Sequence, residues 1–86
     1  MKAVRFHDNG GPEVLKWEEV EDPVADPGEV LIRLEAVGLN YIDTYHREGL
    51  YPVPLPSIPG VEGAGEVVAI GHGVDDLALG DRVAYA

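Results

Sequence analysis

The clearest hydrophobic pattern in the sequence covers residues 29–39. Apolar side chains recur there at every second position, in the order Glu-Val-Leu-Ile-Arg-Leu-Glu-Ala-Val-Gly-Leu. A period of two places successive side chains on opposite faces of an extended chain. The segment is therefore predicted to be a long β-strand packed against a core.

Weaker patterns of the same kind predict further strands. Residues 3–6 begin an extended segment that stops at the turn residues 8–12, and residues 14–20 set Leu15 and Trp17 on one face with Lys16 and Glu18 on the other. Residues 66–70 and 81–85 are also strand-like, with a glycine turn at 71–73 after the first. Four to six strands and one short helix predict a small, mainly antiparallel β-domain, a partly open β-barrel.

The single helix is predicted at residues 40–49. Asn40 suits its N-cap, because the side-chain oxygen can accept from N–H groups of the first turn, and Asp43 stands in the capping-box position. Gly49 is placed to end the helix. Residues 50–59 then carry four prolines, a density that excludes helix and central strand and predicts a stiff surface loop.

Polar-tipped aromatic residues collect in this part of the chain. Three of the four tyrosines lie within residues 41–51, beside Asn40. Taken alone, Asn40 is equally well explained as a helix cap, and Tyr41 and Tyr45, one turn apart, as braces for a hydrophobic face. The pattern makes the segment a candidate site without deciding its chemistry.

Composition and charge narrow the classes of function. The 86 residues include 16 acidic and 6 scattered basic side chains, for a net charge of −10. Such a chain repels nucleic-acid phosphates and anionic lipid headgroups, so neither nucleic acid nor membrane is an expected partner. The absence of cysteine excludes a disulfide framework and a thiolate metal site, and no apolar run resembles a signal peptide. A cytoplasmic location is expected.

The remaining motifs leave the catalytic residues unassigned. Thr44 and Ser57 lie in no nucleophile motif, and the three histidines fall in separate segments without metal-ligand spacing, which favours surface histidines. The glycines of residues 60–65 lack the strand before and the helix after that a phosphate loop requires. We interpret them as allowing close backbone approach at the start of a strand.

Five segments, in order, carry a resemblance that covers nearly the whole chain. They are GGPEVL at 10–15, GEVLIRLEAVGLN at 28–40, IDTYHREGLYP at 42–52, PSIPGVEGAGEVVAIG at 56–71 and GDRVAYA at 80–86. Together they resemble the amino-terminal part of the zinc-independent, zeta-crystallin-like quinone oxidoreductases of the medium-chain dehydrogenase/reductase superfamily. The resemblance implies that residues 1–86 are the amino-terminal portion of a GroES-like catalytic domain, without the Rossmann domain that completes the subunit.

Two positions depart from the zinc-dependent alcohol dehydrogenases of the same superfamily. By resemblance, those enzymes carry a cysteine where this chain has Asn40 and a histidine where it has Val61. Valine cannot bind zinc, and asparagine is a poor ligand. Glu62 is shared with them, but one carboxylate does not hold a catalytic ion. No zinc is expected.

The resemblance also implies the cofactor and the substrate. NADPH would lie in the cleft between the two domains, held mainly by the Rossmann domain. Asn40 and Tyr45 are expected to contact its nicotinamide end, and Tyr51, with Ile42 and Pro52, to line a pocket for a small-molecule quinone. The implied reaction is hydride transfer from NADPH to the quinone, in a homo-oligomer whose assembly depends mainly on the Rossmann domain.

Two alternatives stay open at the level of sequence. A sister zinc-free reductase would deliver hydride to the carbon–carbon double bond of an enone or alkenal, and a stand-alone GroES-like binding module would have no activity. The chain stops in mid-strand at Tyr85-Ala86. We therefore expect it to be a piece of a longer enzyme and to be inactive in isolation.

Overall fold

The computed structural model describes all 86 residues. Its elements in chain order are strand β1 (Lys2–Arg5), a 3-10 turn (Pro12–Val14), β2 (Lys16–Glu19), β3 (Val30–Val37), helix α1 (Tyr41–Glu48), β4 (Gly63–Ile70) and β5 (Arg82–Tyr85). Five strands and one short helix confirm the prediction of a mainly β fold. All pairing is antiparallel, in a β1–β2 sheet and a β3–β4–β5 sheet, and the strands form no closed barrel.

The chain divides into two compact units. The first consists of Met1–Glu21 and Leu39–Val61, and the second of Asp22–Gly38 and Glu62–Ala86. The first unit contains the β1–β2 pair, helix α1 and the proline-rich loop, and its fully buried large side chain is Phe6. The second unit is the three-stranded sheet with its connections, and Val67 of the central strand β4 is its fully buried large side chain.

Two of the three glycines in residues 60–65 belong to strand β4, and Gly60 lies before it. Gly63 and Gly65 are buried, and a Cβ atom on Gly65 would lie 2.0 Å from the carbonyl oxygen of Arg33 on the neighbouring strand. Only glycine allows the two backbones this approach. The interpretation as close backbone approach at the start of a strand is thus confirmed at Gly65, while Gly60 has open space around it.

The sequence placed Trp17 and Glu18 on opposite faces of β2 without deciding which face is covered. The Trp17 side chain is 68% exposed, opposite Val4, whereas Glu18 is half-buried opposite Ala3. Glu18 accepts a hydrogen bond from Arg5 Nε at 2.5 Å, so the polar partners share the more protected face. Alternation assigns residues to a common face, but it does not say which face is covered.

Ion pairs link all three strands of the second unit. Arg33, Glu66 and Arg82 are direct cross-strand neighbours, and Arg33 pairs with Glu66. Arg82 donates to both carboxylate oxygens of Glu35, at 2.8 and 2.5 Å. These hydrogen bonds lower the pKa of Glu35 and raise the pKa of Arg82 from their ordinary values. Because all four side chains are solvent-accessible, the network adds little stability per pair.

The proline-rich loop of the first unit is attached to the end of β1. Phe6 N–H donates to the Ser57 carbonyl at 2.9 Å, and Ser57 N–H donates to the Phe6 carbonyl at 3.0 Å. Most side chains of the loop are exposed, as predicted for a surface loop.

Helix α1 has eight residues, and no helix of the structure has the length and apolar character needed to span a membrane.

Candidate functional site

Helix α1 begins and ends at the residues that the sequence predicted. Asn40 is its N-cap, with extended backbone angles, and stands with Asp43 in the arrangement of a capping box. The Asn40 N–H donates to Asp43 Oδ2 at 3.0 Å. Gly49 ends the helix in the left-handed region with φ 89°, and its N–H donates to the Tyr45 carbonyl at 3.1 Å. Caps at both ends define this short helix, which propensity alone would not hold together.

The carboxyl-terminal end of α1 is anchored to the turn after β1. Arg47 Nε donates to the Gly10 carbonyl at 3.1 Å, and Gly10 N–H donates to the Arg47 carbonyl at 3.0 Å. The Arg47 side chain is only 15% exposed. A Cβ atom on Gly49 would lie 2.9 Å from the Asn9 amide, so helix and turn also pack closely. Sequence reasoning missed this anchor, since nothing in the pattern links residues 10 and 47.

Tyr45 and Tyr51, which were expected to serve cofactor and substrate respectively, lie against each other. Their ring centroids are 5.6 Å apart at an interplanar angle of 89°, an edge-to-face pair. The Tyr51 N–H also donates to the Tyr45 carbonyl at 3.4 Å. Such pairs add about 0.5–1.5 kcal/mol beyond burial. Tyr51 remains 52% exposed, so the pair leaves aromatic surface accessible.

The other predicted residues lie on the same part of the first unit. Ile42 is three residues before Tyr45 and therefore shares its face of α1, with its side chain 37% exposed. Pro52 follows Tyr51 directly and is exposed. Tyr41 is 83% exposed, so it does not brace a hydrophobic face, and Tyr45 instead contacts a tyrosine from the loop. No ring contact or hydrogen bond joins Ile42 or Pro52 to the tyrosine pair.

The helix start holds two buried polar atoms without a partner. Asp43 is a buried side chain at 6% exposure, and its Oδ1 accepts no hydrogen bond. The amide Nδ2 of Asn40 is also shielded from solvent and donates none. Unpaired buried polar atoms are uncommon in native proteins, and each needs an explanation. The capping-box position was visible in the sequence, but the burial of Asp43 was not.

The possible metal ligands are spread over the chain and do not cluster. No group of three or more histidine, cysteine, aspartate or glutamate side chains in the 86 residues could hold a metal ion. His7 and His72 are exposed and His46 is partly buried, and His7 Nε2 contacts Glu18 Oε1 at 2.6 Å. Glu62 belongs to the second unit, where it and Tyr85 help to line an open groove of about 340 Å³.

The geometry of the first unit suits recognition of a planar, polar-edged ligand. The tyrosine pair offers aromatic surface and Ile42 offers apolar surface, and the start of the same helix holds the solvent-shielded, unpartnered Asn40 amide. A stacked or edge-on ring with a carbonyl acceptor matches this combination. The site contains no activated nucleophile and no paired general acid and base.

One family model matches most of the chain. Residues 26–86 match the family described as the alcohol dehydrogenase GroES-like domain. A quinone oxidoreductase of Pseudomonas aeruginosa is 54% identical over 86 residues, which cover 99% of this chain and 26% of that protein.

Solved structures show the same fold. Escherichia coli quinone oxidoreductase complexed with NADPH matches with a TM-score of 0.89 at 49% identity, over 100% of this chain and 27% of that one. A cobalt- and zinc-bound alcohol dehydrogenase of Pyrobaculum aerophilum matches with a TM-score of 0.90 at 42% identity, over 98% of this chain and 26% of that one. The chain thus spans about a quarter of the length of the relatives it matches.

Proposed function

Because the chain belongs to the alcohol dehydrogenase GroES-like domain family, we propose that it forms part of the catalytic domain of a zinc-independent quinone oxidoreductase. The complete enzyme would transfer hydride from NADPH to a small-molecule quinone in the cytoplasm. Residues 1–86 would supply one wall of the cofactor cleft, and the Rossmann domain of the complete enzyme would supply the other. The isolated chain would be inactive, since half of that cleft is missing.

The tyrosine pair is the observation that carries the proposal. Tyr45, on α1, and Tyr51, after it, are held edge to face at 5.6 Å, and Asn40 begins the same helix with an unused amide donor. Asn40 and Tyr45 would contact the nicotinamide end of the cofactor. Tyr51, with Ile42 and Pro52, would line the quinone pocket. NADPH bound to the E. coli relative supports the choice of cofactor.

The side chains at the zinc-ligand positions distinguish this chain from its zinc-binding relatives. The similar fold of a zinc-bound alcohol dehydrogenase means that architecture does not decide the metal. Asn40 and Val61 stand where the resemblance puts cysteine and histidine in zinc-dependent enzymes, and an amide and an isopropyl group do not replace a thiolate and an imidazole. The residues present therefore do not fit a catalytic zinc ion.

The chemistry left to these side chains is positioning and hydrogen bonding. The nicotinamide supplies the hydride, so the protein need only hold the two rings in a reactive arrangement. Negative charge that develops on the quinone oxygens must be met by hydrogen-bond donors in place of a metal. Tyrosine hydroxyls can serve as such donors.

The test is a Tyr51→Ala variant of the full-length enzyme. Loss of the pocket wall should raise the Michaelis constant for quinone about tenfold, in line with the ~1–3 kcal/mol that a small apolar contact contributes to specificity. The Michaelis constant for NADPH should change much less. Steady-state kinetics with a quinone and an enone would also show which acceptor the enzyme prefers.

A Tyr41→Ala variant is the matched control, because Tyr41 is 83% exposed and makes no ring contact. It should leave both Michaelis constants near the wild-type values. An unchanged Michaelis constant for quinone in Tyr51→Ala would show that Tyr51 does not line the pocket. Faster turnover of the enone than of the quinone would show that the enone is the preferred acceptor.

A further inference from the structure

Asp43 is a buried charged side chain that the proposed chemistry does not use. Burial of a carboxylate is unfavourable unless hydrogen bonds or nearby positive charge offset the lost hydration. The start of α1 provides both, since the helix dipole and free N–H groups favour an anion there. An exposed glutamate or glutamine at this N3 position would complete a capping box without burying a charge. The position therefore suggests a role in addition to capping.

Two hydrogen bonds join Asp43 to Asn40. Its Oδ2 accepts from the Asn40 N–H at 3.0 Å, and its own N–H donates to the Asn40 carbonyl at 3.0 Å. The backbone donor and the backbone acceptor of Asn40 are thus both engaged by one residue. The backbone from which the Asn40 side chain projects is consequently fixed.

The same contacts leave the Asn40 amide unused. The side-chain N–H2 of Asn40 is a donor, so it cannot cap the N–H groups of the first turn, which need an acceptor. It has no partner in the chain although it is shielded from solvent. A desolvated donor without a partner gains from any acceptor that reaches it, and a fixed one loses little freedom when it binds.

We propose that Asp43 is a positioning residue, whose buried carboxylate fixes the N-cap backbone and thereby keeps the Asn40 amide ready as a donor to the nicotinamide carboxamide. This inference rests on the proposed function, because it assumes that Asn40 contacts the cofactor. Asp43 itself does not touch the reacting atoms.

A double-mutant cycle in the full-length enzyme tests the inference. The variants are Asn40→Ala, Asp43→Ala and the double variant, and the hydride step is followed with NADPH deuterated at the transferred position. Each single variant should slow hydride transfer on the order of tenfold, since misplacement by 1 Å can cost more than that. The double variant should be no slower than Asn40→Ala, because residues that act through one contact are not additive.

Two further variants separate positioning from folding. Asp43→Asn retains an oxygen that can accept from the Asn40 N–H, so it should restore most of the rate. Asp43→Leu fills the same space without an acceptor, so hydride transfer in this variant should remain slow. It takes the place of Asp43→Ala in the cycle if Asp43→Ala does not fold. Thr44→Ala is the control for general damage to α1, since the Thr44 hydroxyl bonds only the Tyr41 carbonyl, and it should keep the wild-type rate.

Hydrogen exchange in the cofactor-free enzyme gives a readout independent of activity. The Asn40 backbone amide should exchange faster in Asp43→Ala or Asp43→Leu and remain protected in Asp43→Asn. Multiplicative effects in the cycle would refute the role of Asp43 while leaving the proposed function intact. A normal hydride step in Asn40→Ala would instead show that Asn40 does not contact the cofactor, and both proposals for these residues would fall.

Discussion

The two units of the chain are built in different ways and carry different kinds of residue. The second unit is a three-stranded sheet with close glycine contacts and cross-strand ion pairs. The first has two short strands, one capped helix and a proline-rich loop, and it holds every residue proposed for cofactor and substrate. Binding residues often lie on loops and element ends that a scaffold positions. The first unit depends on a few specific contacts for that positioning.

The largest expected effect concerns the core of the first unit. Phe6→Ala removes its fully buried aromatic side chain and should cost about 3–5 kcal/mol in the free energy of unfolding. Val67→Ala in the second unit should cost ~2 kcal/mol, because fewer methyl groups are lost. Urea denaturation followed by circular dichroism measures both.

Hydrogen exchange shows whether the contrast between the units extends to their stability. Phe6→Ala should accelerate exchange mainly in residues 1–21 and 39–61, and Val67→Ala mainly in the β3–β4–β5 sheet. Equal acceleration in both units by either variant would mean that they unfold together, and the comparison would then hold for architecture alone.

A somewhat smaller effect is expected at the tightest contact of the second unit. Gly65→Ala places a Cβ atom 2.0 Å from the Arg33 carbonyl oxygen, and backbone cannot move aside as a flexible side chain can. The cost should be ~3 kcal/mol, at the upper end for overpacking. Thermal unfolding of the variant gives the measurement.

The matched control is Gly73→Ala, at a position with φ 86° and open space around it. Only the left-handed conformation penalises alanine there, at roughly 1 kcal/mol. If the two variants were equally stable, the close approach of β3 and β4 would not be a constraint, and the sheet would be less rigid than described.

The smallest effect concerns acid stability in the first unit. The Arg5 guanidinium, and after it the His7 ring, hold the pKa of the Glu18 carboxyl below its ordinary value of 4.5. A pKa lowered on folding stabilises the protein above the unfolded value and loses that effect as pH falls through the folded value. The melting temperature of Glu18→Gln should be slightly below wild type at pH 7 and approach it below pH 4.5.

Glu13→Gln serves as the control, because that carboxylate makes no ion pair within the chain. It should follow wild type at every pH. If the melting temperatures of Glu18→Gln and wild type still differed by the same amount at pH 3, the hydrogen bonds of Glu18 would act independently of its charge.

Local signals in the sequence identified most elements but not how their faces are covered. Asn40, Asp43 and Gly49 defined α1, because caps are read from neighbouring residues. Which face of β2 is covered stayed undecided, because alternation is symmetric between the two sides of a strand. The Arg47–Gly10 anchor joins residues distant in the chain, which no local pattern encodes, and capping signals do not say whether Asp43 is buried. The family resemblance identified candidate residues, while the contact between Tyr45 and Tyr51 came from the structure.

The anchor of α1 to Gly10 makes the helix a lever arm. Arg47 is the pivot, and seven residues at 1.5 Å each place Asn40 roughly 10 Å away along the axis. A tilt of only ~5° at the pivot would carry the Asn40 end through about 1 Å by that geometry. Substitutions at Gly10, far from Asn40 in the sequence, would therefore displace the Asn40 end of the helix more than the Arg47 end.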